Sequence, residues 1–240
     1  MSFFSTIRDW FSEASNFVGT ISATECIGSR IQKVTVTLPR PASAPFVVGS
    51  FVIAMTSGCI PRAYSVATAD NNSFTLLVSF SGMGAGSRFF AEAPVGTKVK
   101  FYGPFDDFPY RAGTGRPKIF FATSTGVAPF RRMVNLALQE NLEATLILGT
   151  PKDSDIAFKT DFEQIAHTNP RFKFIPVLSA PDPSWQGAKG YVTEQVTSKG
   201  EMLRKCDVYI CGVPMMTASV LDMLKKENIP EEQIFVQKFG

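Results

Sequence analysis

Hydrophobic and polar positions follow two different periods along this chain, and the change of period divides it into two parts. Between residues 20 and 100, short apolar stretches are separated by prolines, glycines and asparagines, and residues 33–38 alternate strictly between polar and apolar. This alternation is typical of half-buried antiparallel strands. It predicts strands at 33–38, 46–54, 62–67, 74–80 and 98–102, and about six such strands favour a small closed barrel.

Beyond residue 117, short apolar runs alternate with stretches of helical spacing. The runs at 118–122, 144–149, 172–178, 207–211 and 233–236 predict strands, and 127–140, 160–166, 192–203 and 216–227 predict helices. Strands that alternate with helices form a parallel sheet with crossover connections. The sequence therefore predicts an antiparallel β-barrel domain at 19–112 and an α/β doubly wound parallel-sheet domain at 117–240. The glycine- and proline-rich stretch 111–117 marks the boundary.

The first residues carry a third pattern. Apolar residues recur every three or four positions over residues 2–18, which predicts an amphipathic helix at 1–18 with Phe3, Trp10 and Phe17 on its apolar face. Such a helix would cover the protein's own core, dock on a partner or lie on a membrane surface. Its polar face is not basic, which counts against the membrane, and the three interpretations stay open.

Composition narrows the functional classes. The net charge is only +3 over 240 residues and no Lys/Arg-rich run occurs, so no nucleic acid partner is expected. Cys26, Cys59, Cys206 and Cys211 lack iron–sulfur or zinc spacing, and His167 is the single histidine, so we expect no metal site. Free thiols, no long apolar run and no basic leader predict a soluble cytoplasmic protein for which a membrane is unlikely.

One strand and two loops carry the candidate chemistry. Arg62, Tyr64 and Ser65 place a cation, an aromatic ring and a hydroxyl within four residues, which is the set that a flat anionic cofactor needs. The glycine-rich loop at 82–87 precedes a short helix in the barrel half. The loop at 123–129 joins a strand to a helix, and a helix N-terminus favours phosphate. One phosphate-type loop in each domain predicts two nucleotides that meet face to face.

Five segments in chain order resemble motifs of the ferredoxin reductase-like flavoenzyme superfamily. They are Arg62-Ala63-Tyr64-Ser65 (R-x-Y-S), Gly84-Ala85-Gly86-Ser87 (G-x-x-S), Gly103-Pro104-Phe105-Asp106-Asp107-Phe108 (G-P-F-G-x-F), Thr125-Gly126-Val127-Ala128-Pro129-Phe130 (T-G-I-A-P-F) and Cys211-Gly212-Val213-Pro214-Met215-Met216 (C-G-x-x-x-M). The resemblance runs from residue 62 to residue 239. It implies FAD in the barrel and a nicotinamide dinucleotide in the α/β domain.

The resemblance also implies roles on the FAD side. Arg62 would pair with the FAD pyrophosphate, Tyr64 would stack on the isoalloxazine, and Ser65 would hydrogen-bond near the flavin N5. The FAD phosphates would be held by Gly84, Gly86 and Ser87.

On the nicotinamide side, Thr125 and Gly126 would take the phosphates. Cys211 would lie beside the nicotinamide, with Gly212 and Met216 in the same cofactor-binding segment, and Phe239 would match the C-terminal aromatic that covers the flavin face. The implied catalytic residues are Ser65, Tyr64, Cys211 and Phe239. Many relatives have an acidic residue just before the terminal aromatic, whereas this chain has Gln237, which cannot relay a proton; they also have glycine where Ser124 stands.

The implied activity is that of an FAD-dependent oxidoreductase that takes hydride from NAD(P)H. Residues 178–185 contain Asp182 and no arginine, which favours NADH over NADPH. Residues 184–192 also resemble the W-x-G-x-x-G-x-V segment of NADH-using oxygenase reductases. Lys152 and Lys189 remain candidates for binding the 2′-phosphate of NADPH.

Because the chain has no cysteine set for an iron–sulfur centre, electrons would pass singly to a separate ferredoxin, flavodoxin or oxygenase component. Basic residues that would steer such an acidic carrier are Arg62, Arg88, Arg111, Arg131 and Arg132. The alternatives are a flavin reductase that releases reduced flavin, and an electron-transfer or regulatory subunit of a larger complex.

Overall fold

The computed structural model describes residues 15–42, 44–56, 60–80, 84–197 and 200–237. Six of the described strands close an antiparallel barrel in the order β1-β2-β5-β4-β3-β6. These strands are β1 (Asn16–Ile27), β2 (Ile31–Thr37), β3 (Phe51–Thr56), β4 (Ile60–Ala69), β5 (Ser73–Ser79) and β6 (Lys98–Phe105). Alternate residues such as Val34, Val36, Leu76 and Val78 are fully buried in its core. The predicted barrel is confirmed.

The second domain is a six-stranded parallel sheet in the order β10-β9-β8-β7-β11-β12. Its strands are β7 (Lys118–Thr123), β8 (Ala144–Thr150), β9 (Phe172–Leu178), β10 (Ala188–Lys189), β11 (Asp207–Cys211) and β12 (Ile234–Gln237). The chain first builds outward from β7 through β8, then returns to place β11 on the other side of β7. The carboxyl ends of β7 and β11 therefore flank the crevice where ligands of such sheets bind.

Helices cover the barrel mouth and both faces of the sheet. They are α1 (Ala85–Glu92), α2 (Phe130–Gln139), α3 (Lys159–Thr168), α4 (Glu194–Thr197), α5 (Gly200–Leu203) and α6 (Pro214–Lys226). Helix α1 inserts Phe90 into the barrel cluster, and α2 buries Phe130, Met133 and Val134 against the sheet. Among the described residues, no helix is both long enough and apolar enough to cross a membrane.

Two of the predicted elements in the first part of the chain differ from the structure. Phe17 and Val18, predicted as the end of the N-terminal helix, belong to β1 and pair with Phe101 and Lys100 of β6. The Phe17 ring packs on Phe101 at 5.7 Å between centroids, a contact across strands that periodicity along the chain does not reveal. Residues 1–14 of that helix lie outside the described part of the chain. The strand predicted at 46–54 starts only at Phe51, because a turn closes between Val47 and Ser50.

A shared hydrophobic core joins the two domains. Ile31 and Leu77 of the barrel and Phe108, which follows it, pack in one cluster with Phe120 and Met133 of the α/β domain. Across the same boundary, the Arg132 guanidinium of α2 donates to the carbonyl oxygens of Phe46 and Val47 at 2.7 and 3.1 Å. We call the packed apolar residues of this boundary the interdomain cluster. It fixes the two domains against each other, so the cleft between them has a defined shape.

The chain that links the domains is held by a buried ion pair. Lys118 Nζ lies 2.6 Å from Asp207 Oδ2, and their side chains are 0% and 1% exposed. Thr114 donates its hydroxyl to the same Asp207 oxygen at 2.7 Å, and Arg116 donates to Oδ1 at 3.1 Å. Lys118 also donates to the carbonyl oxygen of Arg111 at 3.1 Å. A stretch that looks in sequence like a loose spacer is thus tied to the start of β11.

Candidate functional site

A cavity of about 270 Å³ lies in the cleft, and both domains form its wall. Seven of the predicted site residues line it, three from the barrel and four from the α/β domain: Tyr64, Ser65, Ser87, Thr125, Gly126, Cys211 and Gly212. They meet because β4 and α1 present their side chains toward the carboxyl ends of β7 and β11. The structure therefore gathers most of the predicted site in one place.

Ser65 is held by a residue of the other domain. Its side chain is buried, and its hydroxyl donates to Oε1 of Gln237 at 2.7 Å. Gln237 pairs with Cys211 in the register of β11 and β12, and the Cys211 thiol donates to the same oxygen at 3.6 Å. One amide oxygen thus accepts a donor from each domain at the base of the cavity.

The other end of Gln237 faces an acidic group. Its Nε2 atom is buried and makes no hydrogen bond of good geometry to a described residue. It lies near Asp107, whose pKa is raised by burial, while the backbone N–H of Asp107 and the Gln237 amide oppose that rise. The amide oxygen of Gln237 thus faces two donors and its nitrogen faces a carboxyl. The reversed amide would place its oxygen against the carboxyl, acceptor against acceptor. Sequence reasoning noted Gln237 only as a departure and missed Asp107.

Tyr64 and Arg62 enclose a glycine. A Cβ at Gly86 would come within 2.6 Å of the Tyr64 hydroxyl and 2.8 Å of Arg62 Cγ, so only glycine fits there without a shift. The Tyr64 ring packs edge-on against Phe90, and burial raises the pKa of its hydroxyl to about 12 despite the opposing charge of Arg62. Arg62 and Tyr64 lie on one face of β4 and Ser65 lies on the other, because side chains alternate along a strand.

The glycine-rich loop differs in detail from its prediction. Gly84 is the N-cap of α1 and Ser87 lies in its first turn, whereas the sequence placed the whole loop 82–87 before the helix. The helix begins earlier because Ala85 and Gly86 already adopt helical geometry. No atom of a described residue lies within 4 Å of the position that a Cβ at Gly84 would occupy. Residues 81–83 lie outside the described residues.

The loop after β7 packs directly on the end of β11. It folds as a 3-10 turn at Ser124–Val127, and Pro129 forms the N-cap of α2. A Cβ at Gly126 would overlap the carbonyl oxygen of Cys211 and come within 2.7 Å of Gly212 Cα. Glycine at 126 is therefore what brings the Thr125 loop and the Cys211 segment together.

Cys211 is a neutral group in this site. Its side chain is buried, and burial raises the pKa of the thiol to about 12. A nucleophilic thiol needs a depressed pKa and some exposure. The thiol can donate a hydrogen bond and pack against a ligand, but it does not act as a thiolate near neutral pH.

A larger cavity of about 480 Å³ continues along the carboxyl edge of the sheet. It shares Thr123, Ser124 and Val213 with the smaller cavity, so the two are contiguous. Met216 of the predicted cofactor-binding segment lines it, and Gly212 packs against Met216 and Thr123 beneath it. Phe239, the predicted aromatic cover, lies outside the described residues.

A barrel and a doubly wound sheet that face each other across contiguous cavities define the class of flavin and nicotinamide oxidoreductases. The family model "Oxidoreductase FAD-binding domain" matches residues 19–110, and "Oxidoreductase NAD-binding domain" matches 120–222. Ferredoxin--NADP reductase B of Sorangium cellulosum (strain So ce56) is 30% identical over 201 residues, which cover 79% of this chain and 82% of that protein.

Two further proteins show how widely the match extends. DmpP, the reductase component of phenol 2-monooxygenase from Pseudomonas sp. (strain CF600), is 27% identical over 93% of this chain, which spans 65% of DmpP. The solved ferredoxin reductase in carbazole 1,9a-dioxygenase shares the fold with a TM-score of 0.84 at 21% identity, covering 95% of this chain and 70% of that one. The chain belongs to the ferredoxin reductase-like flavoenzyme superfamily, and it is an oxidoreductase with FAD- and NAD-binding domains.

Proposed function

We propose that this protein holds FAD in the barrel cleft, takes hydride from NADH and passes electrons one at a time to a separate acceptor protein. The observation that carries this proposal is the smaller cavity, where Tyr64 and Ser65 of the barrel face Thr125 and Cys211 of the α/β domain. A flavin held by the first pair and a nicotinamide held by the second would meet there.

The residues around Gly86 fit FAD. Glycine at 86 lets the Arg62 and Tyr64 side chains pack directly against the backbone of α1. Arg62 is exposed and offers a cation for a diphosphate, and Ser87 adds a hydroxyl on the cavity wall. Tyr64 stays neutral because its pKa is about 12, so it offers an uncharged aromatic face.

The buried side chains orient the reacting groups. FAD supplies the chemistry, since it accepts a hydride and releases single electrons. Ser65 gives its hydrogen to Gln237, so its lone pairs remain for a donor in the cavity. Gln237 and Cys211 carry no proton that can be released near neutral pH, and all three side chains are buried. Any proton required in the cavity therefore arrives through water.

The position of Asp182 supports NADH as the donor. The segment after β9 contains Asp182, which lies 3.5 Å from Lys152 and so partly neutralises that cation. A carboxylate at this position would repel the 2′-phosphate of NADPH. We expect the kcat/KM for NADH to exceed that for NADPH, and the reverse ratio would overturn the preference.

The acceptor is proposed to be an acidic electron carrier or an oxygenase component. Ferredoxin--NADP reductase B and DmpP, the relatives named above, are by name a ferredoxin reductase and a monooxygenase reductase component. Of the predicted docking cations, Arg131 pairs with Asp161 at 2.8 Å and Arg132 bonds to the barrel backbone. Arg62 is assigned to the FAD diphosphate, so the exposed Arg88 and Arg111 are the better candidates for steering.

The test is a visible spectrum of protein purified with FAD, followed by anaerobic titration with NADH. Flavin bands that survive gel filtration and bleach on addition of NADH are expected, and their absence would overturn the proposal. Loss of the flavin from the protein after reduction would instead indicate the flavin reductase alternative. Catalytic reduction of a purified ferredoxin or flavodoxin would then establish single-electron transfer.

A further inference from the structure

The larger cavity is built from neutral residues of the α/β domain with one exception. Its wall consists of hydroxyl-bearing, aliphatic and glycine residues together with Tyr191, and the charged residue that lines it is Arg30. Arg30 belongs to the other domain, where it lies in the turn between β1 and β2. A cation from the barrel therefore reaches a nucleotide-sized cavity of the sheet.

The turn that carries Arg30 is anchored on the α/β domain. The Ser29 N–H donates to Asp155 Oδ1 at 3.3 Å, and Asp155 Oδ2 lies 3.9 Å from Arg30 Nε. Gly28 has a φ of 56°, and a Cβ there would overlap the Asp155 carboxylate. On the other side of Arg30, Ile31 is buried in the interdomain cluster. The backbone of Arg30 is thus fixed relative to the cavity, as preorganised binding requires.

The guanidinium is placed to take a second anion. Asp155 is buried and approaches it at the Nε edge, while the Arg30 side chain is 50% exposed. The terminal nitrogens donate no hydrogen bond to a described residue. An arginine offers a planar fork of donors, and this fork binds phosphate oxygens in pairs.

We propose that Arg30 binds the diphosphate of the nicotinamide dinucleotide, an inference that rests on the function proposed above. The cavity extends from Thr123 and Val213, at the nicotinamide loops, to Ser179 and Tyr191 beyond β9. A dinucleotide that spans these ends carries its diphosphate between them. NADH and NADPH share this anionic group. The barrel domain thus contributes to the binding of both cofactors.

The test measures ADP-ribose binding by isothermal titration calorimetry at low salt, since ADP-ribose carries the diphosphate and cannot be oxidised or reduced. Arg30→Gln should weaken ADP-ribose by roughly tenfold to a hundredfold, the range for a lost charge-assisted hydrogen bond. Adenosine, which lacks phosphate, should bind equally to both proteins, and kcat/KM should fall by similar factors for NADH and NADPH. Lys33→Gln is the matched control, because Lys33 is another barrel cation, paired with Glu25 at 2.7 Å.

A second variant separates binding from structure. Arg30→Gln leaves the buried Asp155 carboxylate without its cation, so Arg30→Gln/Asp155→Asn removes that charge as well. If Arg30 contacts the diphosphate, ADP-ribose binding stays weak in the double variant. Recovery of the parent affinity would show that Arg30 acts only through Asp155 and would overturn the proposal.

Other results also contradict it directly. An ADP-ribose affinity within twofold of the parent, or a loss confined to NADPH, would assign Arg30 no role at the diphosphate. Failure of the unsubstituted protein to bind ADP-ribose or oxidise NADH would instead refute the proposed function itself.

Discussion

The buried ion pair between Lys118 and Asp207 makes a strong prediction about stability. Asp207→Ala would leave the Lys118 ammonium, which is 0% exposed, with Thr114 Oγ1 and the Arg111 carbonyl as its remaining described acceptors. Removing one partner of a buried pair costs about 3–5 kcal/mol of unfolding free energy, because the other charge stays buried. Arg116 bonds to the same carboxylate but is 39% exposed, so Arg116→Ala should cost about 1 kcal/mol or less.

Urea unfolding of the parent and the variants, all free of FAD and followed by circular dichroism, measures these differences in unfolding free energy. The decisive comparison is Lys118→Met/Asp207→Leu, which replaces both charges by apolar groups of similar size. Such replacements are often neutral or stabilising, so the double variant should unfold near the parent midpoint while Asp207→Ala unfolds at much lower urea. If Asp207→Ala loses less than about 1 kcal/mol, Lys118 reaches water after the substitution and the reasoning from burial is wrong.

Three further predictions follow from the cleft. Gly126→Ala should displace the Cys211 backbone and cost about 1–3 kcal/mol or more, measured by thermal unfolding. Ser65→Ala and Gln237→Met should each destabilise the protein, and their double-mutant cycle should show a coupling of about 0.5–3 kcal/mol, whereas additive effects would deny the hydrogen bond between them. Burial raises the Cys211 pKa to about 12, whereas an unfolded cysteine has a pKa of ~8.5, so the stability that the neutral thiol contributes is present below pH ~8.5 and is lost as the pH rises toward 12. The unfolding free energy of Cys211→Ala should therefore depend less on pH over that interval than that of the parent. Equal slopes for the two proteins would contradict this prediction.

Patterns within short segments predicted the barrel, the parallel sheet and the gathering of Tyr64, Ser65, Gly126 and Cys211. For Gly126 and Cys211 they succeeded because Gly126 follows β7 and Cys211 ends β11, and the carboxyl ends of parallel strands meet at one edge. Tyr64 and Ser65 lie within β4 of the barrel and were placed by the motif they form. The cavities confirm where these residues lie, while their roles toward the cofactors remain predictions.

Pairings between distant residues could not be predicted in this way. Ser65 and Gln237 are 172 positions apart, and Lys118 and Asp207 are 89 apart. Lys118 was only the first residue of a predicted strand, and nothing was predicted for Arg30. Phe17 was assigned to a helix because its spacing from the preceding apolar residues fits one face of a helix. In β1 it is half-buried, and its neighbour Val18 faces solvent. In each case the deciding partner lies on another element.

The interdomain cluster matters for anyone who wishes to build hybrid reductases from this chain. A cut within 113–116 looks natural, yet a barrel expressed alone would present Ile31, Leu77 and Phe108 to water, a surface prone to aggregation. Grafting a foreign nucleotide module onto this barrel would succeed only if the graft supplied matching apolar residues and a counterpart to Asp155. A hybrid must therefore preserve a contact surface formed by both domains, and joining two segments of chain is not sufficient.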